Sequence, residues 1–163
     1  MNPNPNPSPL IISSYLKLMF RQWNNGEVEK LDDEKIASHI QEYHINKYDV
    51  DTNFVDKYNP EYSIPALILA AQMDLPKTLE MLLNNGADIN IRGPIDSTAL
   101  MNAAICGNNE IIRRLVFRGA DISAVDEDGA NALDYALTDN DKNCLFAAII
   151  LKKNGLNPSN NYD

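Results

Sequence analysis

The chain reads as an all-α solenoid of stacked helix-turn-helix units with short hairpin-like loops, and three observations predict it. Gly-Ala-Asp-Ile stands at 86–89 and again at 119–122, an interval of 33 residues. PALILAA at 65–71, TALMNAA at 98–104 and NALDYAL at 131–137 lie in register at two successive intervals of 33. A second run of helically spaced apolar residues separates each of these openings from the next glycine. Self-similarity at such a period is the mark of a repeat array, in which no single unit can bury its apolar face alone.

Taken in order, residues 1–9, MNPNPNPSP, form a Pro/Asn leader with almost nothing to bury, expected to be extended or disordered. Residues 10–58 hold Leu10–Trp23 and Leu31–Tyr48, both with helical spacing of apolar residues such as Ile36, Ile40 and Tyr43, separated by the stop NNGE. This predicts a helical hairpin that caps the array, where an end unit otherwise leaves apolar surface bare. The stretch DVDTNFVDKYNPEYS then reads as a long polar and aromatic connection. AspValAsp at 49–51 echoes AspIleAsn at 88–90, but at an interval of 39 rather than 33, so the connection carries about six extra residues.

Residues 59–158 divide into units of about 59–91, 92–124 and 125–158, followed by a tail at 159–163. Alanine recurs at 66, 99 and 132 and at 70, 103 and 136, where close helix approach leaves no room for a larger side chain. Leu67, Leu100 and Leu133 fill the groove beside them. The second helices carry Leu79, Leu82 and Leu83, then Ile112, Leu115 and Val116, and end at Gly86 and Gly119, where a residue at positive φ closes a helix. In the third unit the glycine is Gly155 rather than a residue at 152, so that helix should be about three residues longer.

These residues resemble the ankyrin repeat, whose pattern is roughly D-x-x-G-x-T-P-L-H-x-A-A-x-x-G-x-x-x-x-V-x-x-L-L-x-x-G-A-D-x-N. The middle unit matches through ThrAlaLeuMetAsnAlaAla at 98–104, Gly107, Ile112, Leu115 and GlyAlaAspIleSer at 119–123. The third opens with Asp126, Gly129 and AsnAlaLeuAspTyrAla at 131–136, where the middle unit has Gly93 and Asp96 instead of the Asp and Gly. The first has Asp74 in place of the glycine and Pro65 in place of the threonine.

The formal net charge of −9 disfavours nucleic acid or anionic lipid as the main partner, since each calls for a basic patch. Arg113, Arg114 and Arg118 make the only close basic cluster, and the region from Ser123 onward is the most acidic. Leu10–Phe20 is too short to span a bilayer and lacks a preceding positive charge, so it reads as a core helix rather than an anchor or signal. Cys106 and Cys144 form no disulfide framework or zinc spacing and read as buried, inert thiols suited to a reducing compartment. His39 and His44, five apart, lack the geometry of a helical zinc pair. DNDKN at 139–143 lacks the glycine and downstream glutamate of a calcium loop and reads as a turn with Asp141 as helix N-cap. No phosphate loop or nucleophile elbow appears, so neither enzymatic activity nor a cofactor is expected.

The resemblance implies a binding scaffold whose hairpin tips and inner helices form one concave, protein-binding face. Carried over by position, that face comprises Glu61, Tyr62, Ile64, Gln72 and Met73 in the first unit and Arg92, Pro94, Ile95, Ser97, Ile105 and Cys106 in the second. The third contributes Glu127, Asp128, Ala130, Thr138 and Asp139. Apolar and aromatic groups at one end and carboxylates at the other suggest a partner with an apolar anchor followed by basic residues. The same face would serve a stand-alone interaction module or a regulatory subunit that blocks a partner enzyme's active site.

CLFAAIIL at 144–151 is an apolar run in the last helix, where a capping helix should be polar outside. Coverage by the tail through Leu156 and Tyr162, together with partial exposure of the helix, is the preferred reading, with a homodimer as the alternative. The 21 Asn and 16 Ile are a bias of the kind AT-rich genomes produce. By analogy with bacterial members of the family, that extends the expectation from a cytoplasmic protein to an effector secreted into a host cell.

Overall fold

A computed structural model describes residues 32–42, 53–55, 63–138 and 141–159. The leader 1–9, the first helix of the predicted capping hairpin, Glu61, Tyr62, Asp139, Tyr162 and the side chains of His39 and His44 lie outside the described residues. Seven helices are described: α1 (Asp33–Glu42), α2 (Ala66–Gln72), α3 (Pro76–Asn84), α4 (Ala99–Ile105), α5 (Asn109–Phe117), α6 (Ala132–Leu137) and α7 (Lys142–Lys153). One two-stranded antiparallel ribbon, β1 (Asn53–Val55) with β2 (Ser63–Pro65), pairs Phe54 with Ile64 and runs directly into α2. From sequence alone this stretch reads as a connection. A ribbon of three residues per strand is too short for a periodic signal, and Pro65, which has no N–H to donate, ends it.

The helices form two layers. The inner helices α2, α4 and α6 pack one on the next, and the outer helices α3, α5 and α7 do the same behind them. Helix α1 extends the outer layer by packing on α3. The inner seam rests on small side chains: Ala66, Ala70, Ala99, Ala103, Ala132 and Ala136 are all buried, as are Leu67, Leu100 and Leu133 beside them. Close packing at interior density is possible there because a methyl group is the largest projection the seam holds.

The helix ends show why the period is written as it is. Asn131 Oδ1 accepts from the N–H groups of Leu133 and Asp134, while Asp134 returns a bond to the Asn131 N–H, which makes a reciprocal cap on α6. Thr98 Oγ1 accepts from Met101 N–H to cap α4. Pro65 has no side chain to do this for α2. At their C-termini the outer helices close alike, with Ala87 N–H bonded to Leu82 O, Ala120 to Leu115 O and Leu156 to Leu151 O, around Gly86, Gly119 and Gly155 at positive φ. Helix α7 has twelve residues against nine in α3 and α5, as the displaced glycine predicts.

Helix α3 starts without a side-chain cap of its own. Asp33, at the first turn of α1, supplies one: its carboxylate accepts from the N–H groups of Lys77 and Thr78 at 2.8 Å each. Lys77 also pairs with Glu34. In the outer layer Glu80 accepts from both Arg114 and Arg118, and Arg114 also pairs with Glu110, so two of the three clustered arginines are already engaged. At the other end of the array the tail folds back. Leu156 is buried, Asn157 O accepts from Asn131 Nδ2, and Ser159 N–H donates to Asp134.

Gly107 joins α4 to α5 at φ 66°, and a Cβ there would lie 2.7 Å from Asn143 Cβ and 3.1 Å from Cys144 N. Gly119, at φ 87°, has open space around the same position. Gly119→Ala should therefore cost about 1 kcal/mol from backbone strain alone. Gly107→Ala should cost at least twice as much in urea melts, because α7 must also move away; equal losses would refute the steric part of this account.

Candidate protein-binding face

The exposed edge of the inner layer repeats in register. Gln72, Ile105 and Thr138, each 33 residues apart, are all exposed at the C-terminal ends of α2, α4 and α6. Met73 beside them is half-buried and Cys106 is exposed. Cys106 corrects the expectation of two buried thiols: only Cys144 is buried, and its Sγ lies 3.6 Å from Ile105 O. Partial burial of the Cys106 sulfur, then the adjacent Cys144, raise its pKa above the ordinary thiol value. It is therefore a protonated, weakly nucleophilic group at neutral pH.

The hairpin tips make the other edge. In the middle unit Gly93 N–H donates to Ser97 O and Ser97 N–H to Pro94 O, closing a turn over Pro94–Asp96. Ile95 (φ 55°) and Asp96 (φ 59°) both occupy the left-handed region. This is the pattern of a type I′ turn, which normally uses Asn-Gly. Asp tolerates it, whereas a β-branched residue there is a genuine outlier. Ile95 is also 54% exposed, so only part of its side chain is covered.

In the third unit the equivalent loop closes through Asp126 N–H to Ala130 O. Asp126 is buried and accepts from the backbone N–H groups of Asp128 and Ala130 and from the Tyr135 hydroxyl at 2.6 Å. Burial pushes its carboxyl up, but these bonds together outweigh burial and hold the pKa below the ordinary carboxylate value. Glu127 and Asp128, at the tip, are exposed. The two tips are joined by Glu127 N–H donating to Ile95 O at 3.1 Å.

Not every predicted residue is available. Ser97 is buried, and its hydroxyl accepts from Asn102 Nδ2 inside the turn, which withdraws it from the face. Arg92 donates to Asp96 O and to Val125 O, both at 2.8 Å, so its guanidinium braces the second tip against the third. Ile64 and Ala130 are half-buried, and Pro94 is partly covered. Sequence reasoning misses three exposed large apolar groups, among them Leu137 at the end of α6. Val125, 33 residues after Arg92, is exposed beside the acidic tip, and Phe117 at the end of α5 is 90% exposed on the outer layer. Register comparison could have found Phe117, because the first unit has Asn84 at that position.

Among the described residues no group of three His, Cys, Asp or Glu side chains is placed to hold a metal ion. None of their helices is long and apolar enough to cross a membrane.

The Asp126 carboxylate gives a pH signature. Its depressed pKa contributes stability that is complete above the ordinary Asp value, about 4, and is lost as pH falls through the lower folded-state value. Tyr135→Phe should raise that pKa, cost about 1.5 kcal/mol at neutral pH and start acid unfolding at higher pH. Urea midpoints of the two proteins should converge once the carboxyl is protonated; a pH-independent difference would mean that the hydroxyl acts otherwise.

A family profile described as ankyrin repeats in three copies matches residues 67–161. The chain is 31% identical over 111 residues to "Ankyrin repeat and SAM domain-containing protein 6" of Rattus norvegicus, covering 65% of this chain and 12% of that protein. It is 36% identical over 87 residues to "Putative ankyrin repeat-containing protein" of Treponema pallidum, covering 53% and 29% of the two. Identity to "Ankyrin repeat and SOCS box protein 6" of Mus musculus is 34% over 91 residues, 55% of this chain and 21% of the relative. The similarity thus spans a minor part of each relative and coincides with the helical units described above. The chain belongs to the ankyrin-repeat family.

Proposed function

We propose that the chain is a non-enzymatic protein-interaction module that binds its partner through the middle and third hairpin tips and the adjoining ends of the inner helices. Ankyrin repeats are protein-protein interaction modules, and the finer assignment rests chiefly on Ile95. A β-branched residue held at positive φ at a loop tip, with half of its side chain exposed, carries a backbone strain of order 1–3 kcal/mol. Such strain is commonly kept where a ligand is gripped, so Ile95 is the apolar anchor in this reading.

The neighbouring charges favour a basic segment beside that anchor. Glu127 and Asp128 are exposed next to Ile95, and Glu127 is tied to it through the backbone. Arg92 turns its charge into the protein's own carbonyl groups and leaves the acidic tip dominant. Complementary charge of this kind sets orientation and association rate more than affinity. Ile105, in register with Gln72 and Thr138, offers a second apolar contact farther along the inner layer. If the partner is an enzyme, the same face acts as an inhibitor by covering its active site.

The test exploits the strain. Ile95→Asn suits the left-handed turn and should raise folding stability by about 1 kcal/mol. It should nevertheless weaken partner binding at least tenfold in an affinity pull-down followed by titration calorimetry. Reversing charge with Glu127→Lys and Asp128→Lys should mainly slow association and reduce its salt dependence. A partner held equally by all variants would place binding elsewhere, and inhibition of a captured enzyme's turnover would identify the regulatory form.

A further inference from the structure

The chain holds two cysteines, and the fold brings them to one place. Cys106 follows the last residue of α4 and Cys144 lies in the first turn of α7, helices of different units and different layers that touch. Gly107, next to Cys106, is pressed against the same turn: a Cβ built on it would lie 3.1 Å from Cys144 N. Asn109 Nδ2 donates to Asn143 O at 3.2 Å and ties the start of α5 to that turn as well. The Cys144 thiol points at Ile105 O, 3.6 Å away. That oxygen and Cys106 Cα belong to one trans peptide plane, about 2.8 Å apart, so Cys144 Sγ lies within about 6.5 Å of Cys106 Cα. Closing a disulfide brings such atoms to about 4 Å, a movement that rotation of the Cys144 side chain and a small shift of α7 supply.

The repeat asks for cysteine at neither position. Met73 and Asp139 stand in register with Cys106, and Thr78 and Ile111 stand in register with Cys144. Two thiols therefore meet at one junction alone, that between the middle and third units.

We propose that Cys106 and Cys144 form a reversible intramolecular disulfide, which staples the third unit to the middle one in the presence of a small disulfide oxidant such as oxidised glutathione. Access sets the order of events. Cys106 is exposed and Cys144 is buried, so the oxidant meets Cys106 first. The Cys106 thiol gives its proton to solvent and the thiolate attacks one sulfur of the oxidant; a mixed disulfide forms, and one glutathione leaves as a thiolate that takes up a proton. Cys144 then loses its proton in the same way, attacks the Cys106 sulfur and expels the second glutathione. Two protein thiols are thereby oxidised to one disulfide, and one glutathione disulfide is reduced to two thiols. Partial burial and the nearby Cys144 hold the Cys106 pKa above the ordinary thiol value, so little thiolate is present at neutral pH and the first step is slow. The pair therefore records sustained residence in an oxidising compartment rather than a brief pulse of oxidant.

The bond closes a loop that contains α5 and α6 and fixes the end of α4, with Ile105, to α7. Such a link stabilises chiefly by restricting the unfolded chain, provided that native geometry is kept. The assignment needs no partner and stands apart from the hairpin-tip reading.

The full chain incubated with oxidised glutathione at about pH 8, where more of the thiol is ionised, should become a monomer lighter by the two lost hydrogens. Both thiols should resist alkylation, and digestion should yield one cross-linked peptide pair. Its melting temperature should exceed that of the dithiothreitol-treated chain by at least about 5 °C. Cys144→Ala should stop at a glutathione adduct on Cys106. Cys106→Ser, a change at an exposed site, should leave Cys144 unmodified while circular dichroism shows the chain folded. Two free thiols in the unaltered chain, a glutathione adduct that persists there, a disulfide between chains, or a bond that lowers the melting temperature would each overturn the proposal.

Discussion

The structure depends on how closely the inner helices approach one another. Six alanines at two register positions form the seam between α2, α4 and α6, and every one is buried. Any larger side chain there would push neighbouring units apart and separate the outer helices as well, since the same short links connect both layers. The period of 33 follows from this constraint. Each unit must return its chain to an equivalent place on the seam, so helix starts, glycine closures and loop tips fall into register around it.

Within that frame the departures from the repeat pattern have physical replacements. Asp74 and Asp96 stand where glycine would be expected, and both adopt the positive φ that the missing glycine would have supplied. Aspartate is among the few side chains that tolerate this region, so the turns survive. Pro65 gives up the cap that Thr98 and Asn131 provide for their helices, yet it terminates β2 and leads straight into α2. Ile95 has no such compensation, which is what separates a tolerated substitution from one that calls for an explanation beyond folding.

Much of the architecture was legible because it rests on spacing. The alanine and leucine seams, the closures at Gly86, Gly119 and Gly155, the Asp141 cap and the lengthened last helix all follow from residue type at fixed intervals. What escaped was decided by contacts between residues distant in sequence. Arg92 reads as a free cation until its two carbonyl acceptors are placed beside it, and Ser97 reads as a surface hydroxyl until Asn102 turns toward it. The general tendency of cysteine to be buried places Cys106 inside, but that tendency says nothing about the edge of a particular helix. The β1–β2 ribbon pairs segments too short to carry a period of their own.

The cap that Asp33 places on α3 has a consequence for how the molecule comes apart. The two N–H groups it satisfies lie more than forty residues downstream, so α3 cannot keep a complete first turn once α1 leaves. Peeling the array from that side must break two charge-assisted bonds together with the contact between two outer helices, rather than fray one residue at a time. The described N-terminal end therefore behaves as a latch. Amide exchange in the first turn of α3 reports whether it is shut.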